Sequence, residues 1–294
     1  MIWQPLQQRL LHSSNSGRPH ATRRALTFTR SLILLTLGAC LVCGALRSHY
    51  RCFDWQTEEA LFTAAVRVQP TSARAHYNLG SAIIASSRSN HSTTTTQAET
   101  DSRRALASFL RTLEIDPTYG EAWNNVGATY EGLGQHDRAR IAYSALSALR
   151  GGEDPYAVNA VGRALAAQGK IAEAEANFQV AIALGEQDGA CQSHALFNLG
   201  QLRAAAPSAG LRARDDQDAL ELYLAAAACD PGYRGAREAA GAALYAARRH
   251  AEAVAHFKAS VKLLDNDSGP DRARALANLG GVLVAAGRVR IHTY

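Results

Sequence analysis

From about residue 73 onward the chain alternates between two kinds of apolar stripe, each with the i, i+3, i+4, i+7 spacing of an amphipathic helix. Between Gly120 and Glu153, Trp123, Val126, Gly127 and Tyr130 line a first helix, and Ala139, Tyr143 and Leu146 line a second, within a unit of 34 residues. The same positions recur as Leu79, Gly80, Ala105, Phe109 and Pro117, then as Val161, Gly162, Leu165, Ala174, Phe178 and Ala181. They recur again as Leu199, Gly200, Ala219, Tyr223, Ala226 and Pro231, and as Gly241, Leu244, Ala253 and Phe257. A sixth unit offers Asn278, Leu279, Gly280, Leu283 and Gly287, and the sequence stops at Tyr294 before its second stripe.

Small residues set the register: Gly80, Gly127, Gly162, Gly200, Gly241 and Gly280 on first helices, and Ala105, Ala139, Ala174, Ala219 and Ala253 on their partners. Two antiparallel helices joined by a short turn pack closely when one side supplies almost no side chain and the other a methyl. Each hairpin leaves an apolar face open, so the units must stack. This pattern is identified as that of the tetratricopeptide repeat (TPR). The expected fold is all-α, a TPR superhelical solenoid of about five complete helix hairpins plus a truncated sixth, after one N-terminal transmembrane helix. An array ending inside a hairpin exposes the apolar side of its last complete repeat, which reads as a truncated gene model or fragment; a single helix docking as the cap is the other reading.

Charge divides the chain unevenly. Seven arginines and no acid precede Asp54, which leaves 24 basic against 26 acidic residues, a net −2, for the rest. No basic stripe interleaved with aromatics remains there, so no nucleic-acid partner is expected. Ser31 to Leu46 is uncharged and apolar, bracketed by Arg30 and Arg47. At 1.5 Å per residue it spans about 24 Å, short of the roughly 30 Å hydrocarbon core unless the arginines snorkel. The arginine bias puts the N-terminus in the cytosol and the repeats in the lumen or outside. A cleaved signal peptide, with Cys43 and Ala45 near the required small positions, and a wrongly assigned start are the alternatives. The domains are then 1–30 (basic, cytosolic), 31–46 (transmembrane helix or signal anchor), 47–72 (membrane-proximal segment and first helix) and 73–294 (solenoid).

Asn90 and Asn266 each begin an Asn-x-Ser sequon, as expected of lumenal chain, although ten asparagines give about one sequon by chance. Cys40 and Cys43 read as packing residues inside an apolar helix. Cys191 precedes the first helix of the fourth full unit and Cys229 ends its second, so antiparallel pairing brings them together; a bridge or two separate thiols both remain open. Ser86 to Asp101 lengthens the first full repeat by 13 residues at its turn and reads as a solvated, disordered loop. A 7-residue insertion near Ala205 to Asp218 sits at the equivalent turn of another unit.

First helices of TPR units face the concave side, and their sixth position reads Asn78, Asn125, Ala160, Asn198, Ala239 and Asn278. An amide both donates to and accepts from a peptide backbone, so spaced asparagines could hold an extended client protein or peptide with little regard to sequence. The arrangement resembles the asparagine ladder of the nucleocytoplasmic O-GlcNAc transferases. Tyr77, Asn124, Asn159 and Phe197 at the fifth position, and Arg74, Tyr156, His194 and Arg274 at the second, add stacking and charge. They do not form the basic carboxylate clamp of chaperone-docking TPR domains. No catalytic constellation, metal site or cofactor site is expected.

Just after the apolar helix, Arg47, Arg51, Trp55, Glu58 and Leu61-Phe62 are followed by Ala75-His76-Tyr77-Asn78-Leu79-Gly80. This run resembles the junction in the transmembrane and TPR repeat-containing O-mannosyltransferases of the endoplasmic reticulum. The resemblance implies a C-terminal TPR arm beyond the last helix of a polytopic domain that uses dolichyl phosphate mannose, and a client-binding role in protein O-mannosylation. It carries over no catalytic residue, because the family's upstream helices and acidic lumenal loop have no counterpart before Ser31. The alternative is a non-catalytic, single-pass TPR scaffold.

Overall fold

A computed structural model describes residues 20–89, 94–187, 191–205, 212–264 and 269–287. These residues form helices only, and fall into two units, Met1–Val68 and Gln69–Tyr294.

In the first unit, α1 (His20–Phe53) is continuous over 34 residues, and α2 (Glu58–Val68) follows. The stretch Arg30–Phe53 is 24 residues long with a mean hydropathy of 1.8 and none of it buried. At 1.5 Å per residue it reaches about 36 Å, long and apolar enough to cross a membrane by length and composition. The helix thus continues past Leu46, where the uncharged run ends, through Arg47 and Arg51 to Phe53. Cys40 and Cys43, expected as packing residues, are exposed on this helix, as is Cys52.

The second unit is a series of hairpins: α3 (Ala73–Ser89) with α4 (Thr95–Ile115), α5 (Gly120–Gly132) with α6 (His136–Leu149), α7 (Pro155–Ala167) with α8 (Ile171–Gln187), α9 (Ser193–Ala205) with α10 (Arg212–Cys229), and α11 (Arg234–Ala246) with α12 (His250–Lys262). Helix α13 (Pro270–Ala285) packs against α12. Each second helix also packs against the first helix of the next hairpin, which buries the open face that a lone hairpin would leave.

All five register alanines are buried. The glycines, however, do not face alanine methyls. A Cβ on Gly80, Gly127, Gly162, Gly200 or Gly241 would lie 2.5–2.9 Å from the ring of Phe109, Tyr143, Phe178, Tyr223 or Phe257 respectively. Each ring is four residues after its alanine, so the bare helix surface at glycine is the seat of an aromatic ring. Gly280 has nothing within 4 Å of its Cβ position.

A second repeated contact joins neighbouring units. Trp123 Nε1 donates to the Pro117 carbonyl at 2.8 Å, and Arg237 Nε to the Pro231 carbonyl at 2.6 Å. His76 Nε2 lies 3.0 Å from the Pro70 carbonyl, which can only accept, so Nε2 carries the proton. Each donor stands six residues after its proline, and together they satisfy the carbonyls where one unit hands over to the next.

The hairpin turns need a left-handed residue, supplied by Gly134 (φ 69°) and Gly169 (φ 76°). At the equivalent turn between α11 and α12 the residue is Arg248, with φ 63°. The 13-residue insertion departs from expectation. Instead of a loop from Ser86 to Asp101, α3 runs to Ser89 and α4 starts at Thr95, capped by the Thr94 hydroxyl accepting from Gln97 N at 3.3 Å. Its polarity is compatible with a helix because its side chains pair along one turn: Arg103 with Glu99 at 2.6 Å and Arg104 with Asp101 at 3.2 Å as ion pairs, and the Gln97 amide donating to Asp101 at 3.0 Å. Of the second insertion, residues 212–218 lie in α10, which begins at Arg212.

Candidate functional site

The face shared by the first helices α3, α5, α7, α9, α11 and α13 carries the sequence-predicted positions, and it is not uniform along the array. At its two ends it opens into grooves that occupy the same place in successive repeats. Helices α3, α4 and α5 enclose about 490 Å³, with Asn125, Ile84, Ala128 and Phe109 in the lining. Helices α9, α10 and α11 enclose about 480 Å³ lined mainly by alanines with Leu220, Tyr223 and Gln217. Helices α11, α12 and α13 enclose about 330 Å³ lined by Asn278, Tyr245, Phe257 and Val282. In each case the ring seated on the register glycine takes part in the lining, and the sixth-position residue of the following first helix, Asn125, Ala239 or Asn278, forms part of a wall.

Between those ends polar side chains tie the first helices together. Tyr143 donates its hydroxyl to Glu131 Oε2 at 3.0 Å, and Arg163 reaches the same carboxylate at 2.8 Å and the Tyr143 oxygen at 3.3 Å. Burial first, and then the Glu131 charge, push the Tyr143 phenol far above its usual range, so it stays protonated and acts as a donor. One repeat further, Arg203 binds Glu175, and Asn198 Nδ2 donates to Asn159 Oδ1 at 2.9 Å.

The predicted contact residues therefore divide. Asn78, Asn124 and Asn125 are half-buried, and Asn278 is exposed. Asn159 is buried and bonded to Asn198, so this pair joins α7 to α9. Tyr77 turns inward onto Phe109 and Tyr119, with centroids 5.9 Å and 5.0 Å away. Phe197 packs on Tyr223 and Tyr233 at 5.8 Å and 5.2 Å, and His194 stacks on Tyr233 at 4.5 Å. Burial raises the Tyr223 and Tyr233 phenols above their ordinary value. Glu131, Arg163 and Arg203 were missed in the sequence, since the partners are 28 to 32 residues apart and no local spacing marks them.

Cys191 and Cys229 are joined as a disulfide, with their Cα atoms 5.7 Å apart, tying the start of α9 to the end of α10. The sequon asparagines Asn90 and Asn266 lie outside the described residues. Among the described residues no cluster of three or more His, Cys, Asp or Glu could hold a metal ion.

Stacked helix hairpins, glycines seated under rings and a face of first helices define a TPR solenoid, a protein-interaction architecture. The tetratricopeptide-repeat family patterns match residues 108–141 and 130–189. The chain is similar to the protein O-mannosyl-transferase TMTC3 of Homo sapiens, 27% identical over 120 residues, which is 41% of this chain and 12% of that protein. Tmtc3 of Drosophila melanogaster is 30% identical over 113 residues, 38% of this chain and 11% of its own length. The match thus spans about an eighth of these relatives. The solved structure of Pseudomonas aeruginosa pilF matches with a TM-score of 0.52 at 17% identity, covering 74% of this chain and 85% of that one, and shares the fold.

Proposed function

We propose that this chain is a membrane-tethered TPR module that holds extended segments of client proteins along the face of its first helices, on the lumenal side of the endoplasmic reticulum membrane. Its place in the cell is client recognition for protein O-mannosylation, as the C-terminal part of a dolichyl-phosphate-mannose-dependent transferase. The observation that carries the binding reading is the recurrence of one groove at equivalent positions, with Asn125 and Asn278 at corresponding points of the walls. An amide there offers a donor and an acceptor to a peptide backbone beside an apolar recess for a side chain. The similarity to TMTC3 supports the mannosylation context, and the disulfide and the long apolar helix support a tethered chain in an oxidising compartment.

The test is photocrosslinking from position 128, in the lining of the same groove, of the full chain inserted in microsomes. Newly translocated polypeptides should be trapped, and Asn78→Ala, Asn125→Ala and Asn278→Ala together should lower the yield at least fivefold. Asn198 is left intact because its loss would strand the buried Asn159 amide. Unchanged crosslinks would remove the asparagines from the site. The sidedness is read separately: endoglycosidase H should remove glycan from Asn266, and resistance together with full access of protease from the cytosolic side would refute the lumenal placement. Client mannosylation that persists when the gene is deleted would leave a non-catalytic scaffold.

A further inference from the structure

The groove between α3, α4 and α5 differs in chemistry from its two counterparts, and the difference comes from the insertion. Gly80 and Gly127 are 47 residues apart, where the plain repeat has 34. The added residues extend both helices of the hairpin beyond the usual turn. Ser87 and Arg88 on the lengthened α3, and Ala98 and Ser102 on the lengthened α4, become lining of the groove. The insertion thus builds a wall beside the groove rather than a loop away from it.

That wall is rich in donors. Arg88 is the one charged residue in the lining, exposed and without an ion-pair partner among the described residues. The neighbouring acids are engaged elsewhere: Glu99 with Arg103, Asp101 with Arg104 and Gln97, and Glu131 with Tyr143 and Arg163. Residues 90–93, Asn-His-Ser-Thr, contain no acid. The Ser102 and Thr129 hydroxyls already donate to the Ala98 and Asn125 carbonyls, at 2.8 Å and 2.7 Å. The Ser81, Ser87 and Asn125 side chains have no hydrogen-bond partner among the described residues, and Ile84 and Ala128 contribute apolar surface. By contrast the α9–α10–α11 groove is lined without charge, and Glu238 beside the α11–α12–α13 groove is held by Arg234 and Ser260.

We infer that the α3–α4–α5 groove is an acidic-side-chain subsite: it accepts a glutamate or aspartate from an extended polypeptide, with the aliphatic stem over Ile84 and Ala128 and the carboxylate toward Arg88. The inference rests on the reading of the first-helix face as a peptide-binding surface, and it names what one end of that surface selects. A guanidinium facing a carboxylate at an exposed rim gives selectivity more than bulk affinity. The expected preference for glutamate over glutamine is about threefold to fivefold, as for an exposed ion pair.

The experiment uses the full chain in non-ionic detergent and a positional-scanning library of blocked heptapeptides. The central residue is fixed as Glu, Gln, Leu or Lys, and the flanks are mixtures. The wild type should retain the Glu pool about threefold to fivefold better than the Gln pool. Arg88→Gln should erase that difference while keeping the Gln pool bound, and Arg88→Lys should restore much of it. Ala98→Trp, which fills the groove from the inserted turn, should also erase it. Lys258→Gln, which removes one positive charge on α12, should leave the preference intact and so separate the subsite from the general attraction of a basic chain. Retention of all pools alike, or a Glu preference that survives Arg88→Gln, would overturn the subsite alone. Retention of no pool would overturn the peptide-binding surface and the subsite with it.

Discussion

Replacing Gly127 by alanine should destabilise the solenoid, while the same replacement at Gly280 should stabilise it. Both residues lie inside helices, where alanine is favoured over glycine by about 1 kcal/mol. At Gly280 nothing stands within 4 Å of the new methyl, so that gain is free to appear. At Gly127 the methyl would meet Tyr143 Cε1, Cδ1 and Cζ at 2.5, 2.7 and 2.8 Å, roughly 1 Å inside ordinary carbon contact. The ring cannot retreat, since it is 1% exposed and its hydroxyl is bound to Glu131 and Arg163. Overpacking of a close-packed site costs about 1–3 kcal/mol, and displacing the hydroxyl adds about 1 kcal/mol. The net loss is then about 1–3 kcal/mol, or roughly 3–10 °C in a thermal melt followed by circular dichroism at 222 nm. Gly241→Ala, where the closest contacts are 2.9–3.1 Å, should be milder than Gly127→Ala. In the Gly127→Ala, Tyr143→Val pair the two losses should be less than additive, because each removes what the other strains against. Equal shifts at positions 127 and 280, or strict additivity in the pair, would refute the ring-on-glycine account.

Three further outcomes are expected. Arg248→Gly should raise the melting temperature by an amount worth up to about 1 kcal/mol, because it relieves a left-handed backbone at the α11–α12 turn, less the entropy glycine adds to the unfolded chain. Tyr143→Phe should cost about 1 kcal/mol in urea unfolding, and a double-mutant cycle with Glu131→Gln should show coupling between them. His256 is half-buried near Arg237, and desolvation first, then that positive charge, lower its pKa below the usual 6.5. The unfolded chain therefore takes up a proton that the folded one refuses, so stability is complete above pH 6.5 and falls as the pH drops below it. His256→Gln should flatten that slope between pH 7.5 and 5.5, and an unchanged slope would assign the acid sensitivity elsewhere.

The solenoid was legible because its determinants are local and repeated. Helical stripes and register glycines recur at fixed spacing, and the rings that fill the glycine seats were already in the aligned list as Phe109, Tyr143, Phe178, Tyr223 and Phe257. Their role was not, since periodicity gives the face a residue occupies but not which atom it meets. The polar insertion was misread for a related reason. Its composition matches a disordered segment, yet the three- and four-residue spacings of Gln97, Glu99, Asp101, Arg103 and Arg104 pair donors with carboxylates along a helix. The site was half legible: position six put Asn125 and Asn278 beside grooves, whereas the Asn159–Asn198 bond and the Arg163–Glu131 bridge depend on inter-repeat geometry that no single repeat encodes.

That division between ends and middle bears on how a solenoid with only nearest-neighbour contacts can keep a binding face in shape. Repeats stack with stability that is approximately a sum of local terms, so a groove between two first helices is only as rigid as the interface beneath it. In this chain several cross-repeat polar contacts lie between the end grooves: the Glu131, Tyr143 and Arg163 cluster, the Asn159–Asn198 bond and the Arg203–Glu175 pair all fall between α5 and α9, while Arg234 and Asp271, 3.1 Å apart, join α11 to α13. The Cys191–Cys229 bridge secures the hairpin at the far side of this braced stretch, the one that carries the second insertion. A disulfide closing a loop of this length is worth roughly 4 kcal/mol in the chain-entropy account. The α5–α9 bracing thus holds the relation of the α3–α4–α5 groove to those at α9–α13 without occupying either end. An extended partner that engages both ends would meet two recesses whose spacing the middle repeats hold, and loosening the middle should weaken two-ended ligands far more than ligands that fill one groove.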